Sequence, residues 1–384
     1  MRSNKQNWSR VPVERVAHCV EKHDKNPLKN GLSNFVGLEN LDGDCLKIIG
    51  FGKIEDGTTF TKTFQKGDVL FGKRRAYLRK IAVSDFDGIC SGDILVFRAK
   101  EKEILPTLLP YYVSSDSFVN YAISTSAGSL SPRTKWRDLA VFEIPLPPLD
   151  EQQRIVELFQ SIEQSIIQVE GQEKNLKSLQ KALSSNLVSN PPIFGNLLSK
   201  KVCKPCLFSD VVECIEEHDR TPLENGLTRF IGLENIEPEN FSLQGFGSIE
   251  NGTTFTKRFA KGDVLFGKRR AYLKKVAVAD YDGICSSDIL VFRATEKEIL
   301  PELLPYYVSS DSFMDHAVTT SAGSLSPRTK WRDLEGFQLA IPDVKTQEKM
   351  VDVFNQLSQS LQLLSQQKET LKKLKQKLLN EILG

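Results

Sequence analysis

No apolar run in this sequence approaches the ~18 residues that a membrane-crossing helix needs, and the opening MRSNKQNWSR has no apolar stretch of the kind that forms an export signal. The expectation is a cytoplasmic chain. An excess of one charge is also missing. Against 51 Lys and Arg stand 49 Asp and Glu, so the net charge is +2 and any nucleic-acid surface would have to be local. Cysteines number seven, at 19, 45, 90, 203, 206, 214 and 285, an odd and scattered set that fits free thiols in a reducing compartment. Cys203 and Cys206 form a lone C-x-x-C. No second pair or His-x-x-x-His completes a zinc site, and the repeat described below aligns these cysteines with Trp8 and Val11, which are packing positions.

Catalytic signatures are equally scarce. Gly67-Asp-Val-Leu-Phe-Gly-Lys73 imitates a phosphate-binding loop, but no Ser or Thr follows the lysine and its middle reads as an apolar strand. Asn190-Pro-Pro-Ile imitates the amine-holding tetrapeptide of amino-methyltransferases. It follows a helical pattern rather than a strand, has no counterpart in the second half, and reads as linker. Asp85, Asp87 and Asp93 lack the Glu-x-Lys of a nuclease. His23 and His218 each precede an Asp without a nucleophile to activate. No metal, cofactor or catalytic residue is expected in this chain.

What is present is a duplication with an ungapped offset of 195 residues. Positions 57–99 and 252–294 differ at only seven of 43 places, and 126–139 is identical to 321–334. After each copy runs a heptad seam. In the first it reaches Ile155, Phe159, Ile162, Ile166, Val169, Glu173, Leu176, Gln180, Leu183 and Leu187. In the second it reaches Met350, Phe354, Leu357, Leu361, Leu364, Lys368, Leu371, Lys375, Leu378 and Ile382. Eight of ten are apolar in each, and the misses fall at matching steps. Two matched helices in one chain most simply pair with each other, antiparallel. Glu173 and Lys368 are then equivalent positions that would meet at the centre of the crossing.

The expected fold is α+β, pseudo-two-fold symmetric: a domain at 1–148, a long helix and linker at 149–190, a second domain at 191–343 and a second long helix at 344–384. Within one unit, 8–20 reads as an entry strand or short helix. Phe35–Leu38, Val69–Phe71, Ala76–Val83, Ile94–Phe97 and Leu139–Leu146 read as strands of a mixed sheet. Residues 40–44 and 54–57 read as turns, 101–123 as helix interrupted by Pro106 and Pro110, and 126–135 as a loop. Asp150 with Gln153 makes a capping-box pattern opening the first long helix, and 189–195 reads as linker.

The candidate binding residues are basic. Lys73, Arg74, Arg75, Arg79 and Lys80 surround Tyr77 with no acid among them, and Lys268, Arg269, Arg270, Tyr272, Lys274 and Lys275 repeat the pattern. A second loop adds Ser129, Arg133 and Lys135, matched by Ser324, Arg328 and Lys330. Lysines neutralise phosphates, arginine forks take guanine edges, and flexible Gly/Ser loops let backbone amides approach the duplex. A solvated strand-and-turn face is the alternative.

The arrangement resembles the specificity subunits of type I restriction–modification systems. The resemblance is carried by two recognition-like domains each followed by a long helix, and by local strings: Gly67-Asp-Val-Leu, Gly72-Lys-Arg-Arg-Ala-Tyr-Leu, Asp87-Gly-Ile-Cys, Ala127-Gly-Ser and Ile144-Pro-Leu-Pro-Pro-Leu-Asp-Glu-Gln-Gln-Arg-Ile155. In the second copy the helix entry has drifted to Ile341-Pro-Asp-Val-Lys-Thr-Gln-Glu-Lys-Met350. The resemblance implies a non-catalytic double-stranded-DNA reader. Its partners would be two methyltransferase subunits that use S-adenosylmethionine on adenine and two ATP- and Mg-dependent restriction subunits. Each domain would read half of a split target and the helices would set the gap. Near-identical domains add the expectation of an inverted-repeat target. About 34 helical residues span roughly 50 Å, or about 15 base pairs. A methyltransferase-only system, or a coiled-coil scaffold that binds protein, remains open from sequence alone.

Overall fold

Two strands carry no polar alternation because both of their faces are covered. On β6 (Val69–Gly72), Val69 and Phe71 enter one apolar core while Leu70 enters another. On β9 (Ile94–Ala99), Leu95 and Phe97 face the first core and Ile94 and Val96 the second. The computed structural model describes residues 7–43, 45–188, 193–194, 203–295 and 298–384.

The first copy contains β1 (Ser9–Pro12), α1 (Val13–Val16), β2 (Ala17–Cys19), β3 (Asn34–Val36), β4 (Gly52–Lys53), β5 (Lys62–Phe64), β6, β7 (Ile81–Val83), β8 (Gly88–Cys90), β9, α2 (Leu109–Ser114), α3 (Asp116–Ser124), α4 (Trp136–Ala140) and β10 (Glu143–Leu146). Strands β2-β9-β6-β7 form an antiparallel sheet. Strands β4-β3-β8-β5 form a mixed sheet in which β3 and β8 run parallel, and β1 pairs with β10. The long helix α5 (Leu149–Leu187) follows. The second copy repeats this: β11 (Cys203–Leu207), α6 (Phe208–Val211), β12 (Val212–Ile215), β13 (Arg229–Ile231), β14 (Gly247–Ser248), β15 (Lys257–Phe259), β16 (Val264–Gly267), β17 (Val276–Val278), β18 (Gly283–Cys285), β19 (Ile289–Ala294), α7 (Leu304–Val308), α8 (Asp311–Thr319), α9 (Trp331–Leu334), β20 (Gln338–Pro342) and α10 (Val344–Leu383). Its sheet orders match those of the first copy.

Several local expectations change. Ala76–Leu78 is a 3₁₀ turn rather than strand, because Arg75 and Arg79 on either side adopt left-handed backbone (φ +54° and +51°) and close the chain on itself. Only Ile81–Val83 continues as strand. Leu139 lies inside α4, which ends at Ala140, so the last strand begins only at Glu143. Pro110 sits in the first turn of α2, where its missing N–H costs nothing. The break falls instead at Ser115, whose hydroxyl accepts from Phe118 N and caps α3. Helix α5 begins at Leu149, so Asp150 lies inside its first turn, and Gln153 donates to Glu157 Oε1 (2.9 Å) rather than reaching back. Cys203 and Cys206 lie on β11 and pack against the second domain's core. The linker at 189–195 and the Asn190-Pro-Pro string fall outside the described residues except for Ile193 and Phe194, the latter buried against Phe354.

The chain divides into two compact units, and each long helix is shared between them: residues Met1–Glu170 with Gln366–Gly384, and Gly171–Ser365. In the first unit Ile155, Phe159 and Ile162 are buried in one core with Leu379 and Leu383, with Ile166, Leu378 and Ile382 packed alongside. Val169 is buried as well. The start of α5 therefore packs with the end of α10, and Lys375 Nζ pairs with Glu163 (2.7 Å). In the second unit Met350, Phe354 and Leu357 share a core with Leu187, flanked by Leu176 and Leu183. Leu361, Leu364, Lys368 and Leu371 are half-buried. Glu173 belongs to the second unit, where it pairs with Lys177 at 3.0 Å, and Lys368 to the first.

One residue explains how the helices leave their domains. Gln152 is buried. Its Oε1 accepts from Leu105 N (2.8 Å), and its Nε2 donates to the carbonyls of Glu103 (3.2 Å) and Pro147 (3.0 Å). Gln347 makes the same three bonds to Leu300, Glu298 and Pro342. The drifted entry string of the second copy keeps the glutamine that does this.

Candidate nucleic-acid interface

The basic turn connects β6 to β7. Gly72 N donates to Lys80 O (2.8 Å) and Lys73 N to Asp93 O (2.9 Å), which holds the turn's two ends on the sheet. Between them Ala76 is buried as a plug, leaving Tyr77 and Leu78 exposed. Arg75 and Arg79 pay for this shape with left-handed backbone, which a Cβ-bearing residue rarely adopts. Arg270 and Lys274 repeat it at φ +54° and +51°.

The second loop is a small hairpin. Ala127 and Arg133 exchange both backbone bonds (3.0 and 2.9 Å), and Gly128, at φ +111°, makes the reversal. The structure joins this hairpin to the basic turn: Arg75 N donates to Pro132 O (2.8 Å), Thr134 N to Lys73 O (3.1 Å), and buried Thr134 meets Thr125 side chain to side chain at 3.0 Å. Asp93 fastens the two from the side. Its carboxylate accepts from Arg133 Nε (2.8 Å) and Nη2 (3.2 Å) and lies 3.6 Å from Arg74. The hydrogen bond from Arg133 is the largest influence holding the Asp93 carboxyl below its ordinary range. Asp288 plays the same part with Arg328 and Arg269, and its carboxyl is held low for the same reason.

The expected binding residues therefore divide into two groups. Lys73, Arg74, Arg75, Tyr77 and Arg133 come together on one surface. Ser129 is exposed on the hairpin and Lys135 at the start of α4; Ser324 and Lys330 are exposed likewise. Lys268, Arg269, Arg270, Tyr272 and Arg328 form the matching surface, where Arg270 Nη2 reaches Leu325 O (3.4 Å) and burial pushes the Lys268 ammonium down from its usual range. Arg79 and Lys80 face inward. Arg79 pairs with Asp116, which also accepts from Gln376 and Asn380 of α10, and Lys80 Nζ donates to Leu38 O (2.7 Å). Lys274 pairs with Asp311 (2.7 Å) and Lys275 donates to Leu233 O (2.6 Å). These four brace the turn.

Sequence reasoning missed the clamp made by Asp93 and Asp288. The signal was present, since both acids lie in the repeated block one strand from the basic turn, but only pairing of β6 with β9 brings them together. The imitation of a phosphate loop resolves as β6 itself, buried along its length. Among the described residues no three His, Cys, Asp or Glu side chains stand close enough to hold a metal, and no helix is long and apolar enough to cross a membrane.

Residues 25–178 and 235–373 match the family described as the type I restriction modification DNA specificity domain. The specificity subunit of the EcoDI type I restriction enzyme of Escherichia coli is 30% identical over 152 residues, 39% of this chain and 33% of that protein. The EcoKI specificity subunit of E. coli K12 is 23% identical over 280 residues, 67% of this chain and 59% of that protein. The chain thus covers less than two thirds of either relative's length. A chain from a structure of type I restriction–modification complex assembly and conformational transition superposes with a TM-score of 0.61 at 20% identity, covering 97% of both chains. A type I S subunit from M. genitalium gives 0.55 at 12% identity, covering 100% of this chain and 98% of that one. At these identities the superpositions speak for the fold.

Proposed function

The chain belongs to the type I restriction–modification DNA specificity family, and from that premise we propose that it is the double-stranded-DNA reader of such a complex, each unit reading one half of a split target. The observation that carries this reading is the doubled surface of Lys73, Arg74, Arg75 and Arg133, assembled from two separate loops and repeated at Lys268, Arg269, Arg270 and Arg328. In a chain of net charge +2, such a local concentration of cations beside an exposed tyrosine suits phosphates and base edges.

The chain itself performs no chemistry in this reading. It assembles with methyltransferase subunits, two per chain, and with two restriction subunits. S-adenosylmethionine, ATP and Mg belong to those partners. The two long helices set the gap between half-sites. At about 1.5 Å per residue, the 39 residues of α5 extend about 58 Å.

Replacing Arg74, Arg75, Arg269 and Arg270 by Ala tests it directly. Duplex affinity should fall and the slope of log affinity against log salt should flatten by up to about four, with the thermal unfolding midpoint nearly unchanged. Unaltered affinity and slope at physiological salt would place the DNA surface elsewhere. If the parent chain shows no salt-dependent duplex binding, the protein-scaffold alternative takes over.

A further inference from the structure

Among the described residues, the most exposed large apolar side chain in each unit sits at the tip of the hairpin described above: Leu130 at 90% exposure and Leu325 at 89%. A single exposed leucine is ordinary on a protein surface. Three observations set these two apart. Each tip is braced: the Ala127–Arg133 pair, the Arg75–Pro132 bond and the Asp93–Arg133 ion pair hold the hairpin, so the leucine is kept off the apolar surface of its own domain. Each tip is ringed by cations, Arg133 on the same hairpin and Arg75 joined to it, and in the second unit Arg270 bonds the carbonyl of the leucine itself. The hairpin is also identical in the two copies, whereas the segments at 41–49 and 236–244 have diverged freely.

We propose that Leu130 and Leu325 are wedges, each entering the base stack of a DNA half-site while the surrounding arginines hold the flanking phosphates. An apolar side chain inserted between base steps exchanges stacking for burial of its own surface, and needs a rigid support and nearby phosphate contacts to hold it there. The hairpin supplies both. Sequence specificity at the wedged step then comes from how readily that step unstacks, as pyrimidine–purine steps do, rather than from a hydrogen bond.

The inference rests on the DNA-reading function proposed above, so the experiment separates the two. Duplexes recovered by the full chain from a random pool are resynthesised with 2-aminopurine at each half-site position in turn. Saturation with the parent chain should raise the fluorescence at one step per half-site. With Leu130→Ala and Leu325→Ala together, that rise should vanish and affinity should fall about tenfold. The salt slope should stay as in the parent, because the phosphate contacts remain, and the unfolding midpoint should not move, because both side chains are already in water. Leu130→Phe with Leu325→Phe should restore the signal. Binding by the parent without a rise at any position overturns the wedge and leaves the DNA reader standing. So does an alanine variant that unstacks the duplex as the parent does, or an affinity loss without unstacking that is reproduced by replacing thymine with uracil, which marks a methyl contact instead. Absence of salt-dependent duplex binding by the parent removes the DNA reader and the wedge together.

Discussion

Asp93 is an acid on the surface proposed above to bind DNA, and its partners explain why it is there. It engages Arg133 and Arg74 from behind, fixing their direction and joining the two loops. Its folded carboxyl is held below the unfolded value, chiefly by the bond from Arg133. Its contribution is therefore complete above the unfolded pKa of about 3.9 and is lost as pH falls through the lower folded value. Near neutral pH the clamp does not titrate. Removing its charge is another matter. Asp93→Asn with Asp288→Asn should release the arginines, raise affinity for random-sequence duplex, steepen the salt slope by about one per unit and reduce discrimination between target and non-target DNA. Competition binding at two salt concentrations measures all three. Equal discrimination in the variant would mean that the clamp orients nothing that reads sequence. Little of this was legible beforehand. The cations announced themselves by composition, whereas the acid that positions them is brought in by strand pairing, and Arg79 and Lys80 turn inward because a left-handed residue redirects the chain, which no residue pattern shows.

At the scale of elements, the seams of α5 and α10 were readable because burial of one stripe imposes the heptad on the sequence. At one end the heptad gives only part of the buried face, Leu378 and Ile382 packing alongside the core. Beyond Lys375 the fully buried residues are Leu379 and Leu383, one position past the steps that reach Leu378 and Ile382. There the helix packs against a domain as well as a helix, and its apolar face widens accordingly. The joint also differs between units. Glu163 pairs with Lys375 in the first, while the equivalent place in the second carries Ser358, bonded to Tyr306 at 3.4 Å, with Tyr306 stacked on Phe354 at 3.7 Å. What the units share is the glutamine. Gln152→Ala would leave the half-buried amide of Leu105 without its acceptor and should cost about 1–2 kcal/mol, read as an earlier denaturant midpoint. Gln347→Ala should cost as much. A loss under half of that in both variants would show that water replaces the side chain and that the helix exit is set by packing alone.

At the scale of the whole molecule, the two surfaces proposed to read DNA agree residue for residue, apart from Lys274 in place of Arg79, which faces inward. Equal surfaces carried on one chain should select equal half-sites. Duplex DNA presents the same half-site twice only as a direct or an inverted repeat, and strand symmetry favours the inverted form when each helix end returns to the opposite domain. Methylated adenines mapped in cells carrying this chain with its cognate methyltransferase should therefore lie in a short half-site, a gap and its complement. Two unrelated half-sites would refute the equivalence of the domains. The gap has a separate control. Deleting one heptad from both α5 and α10 shortens each by about 10 Å, close to three base pairs. The mapped gap should contract while the half-site letters stay the same. If the letters change and the gap does not, the helices take part in reading bases, and the division between loops that read and helices that measure fails.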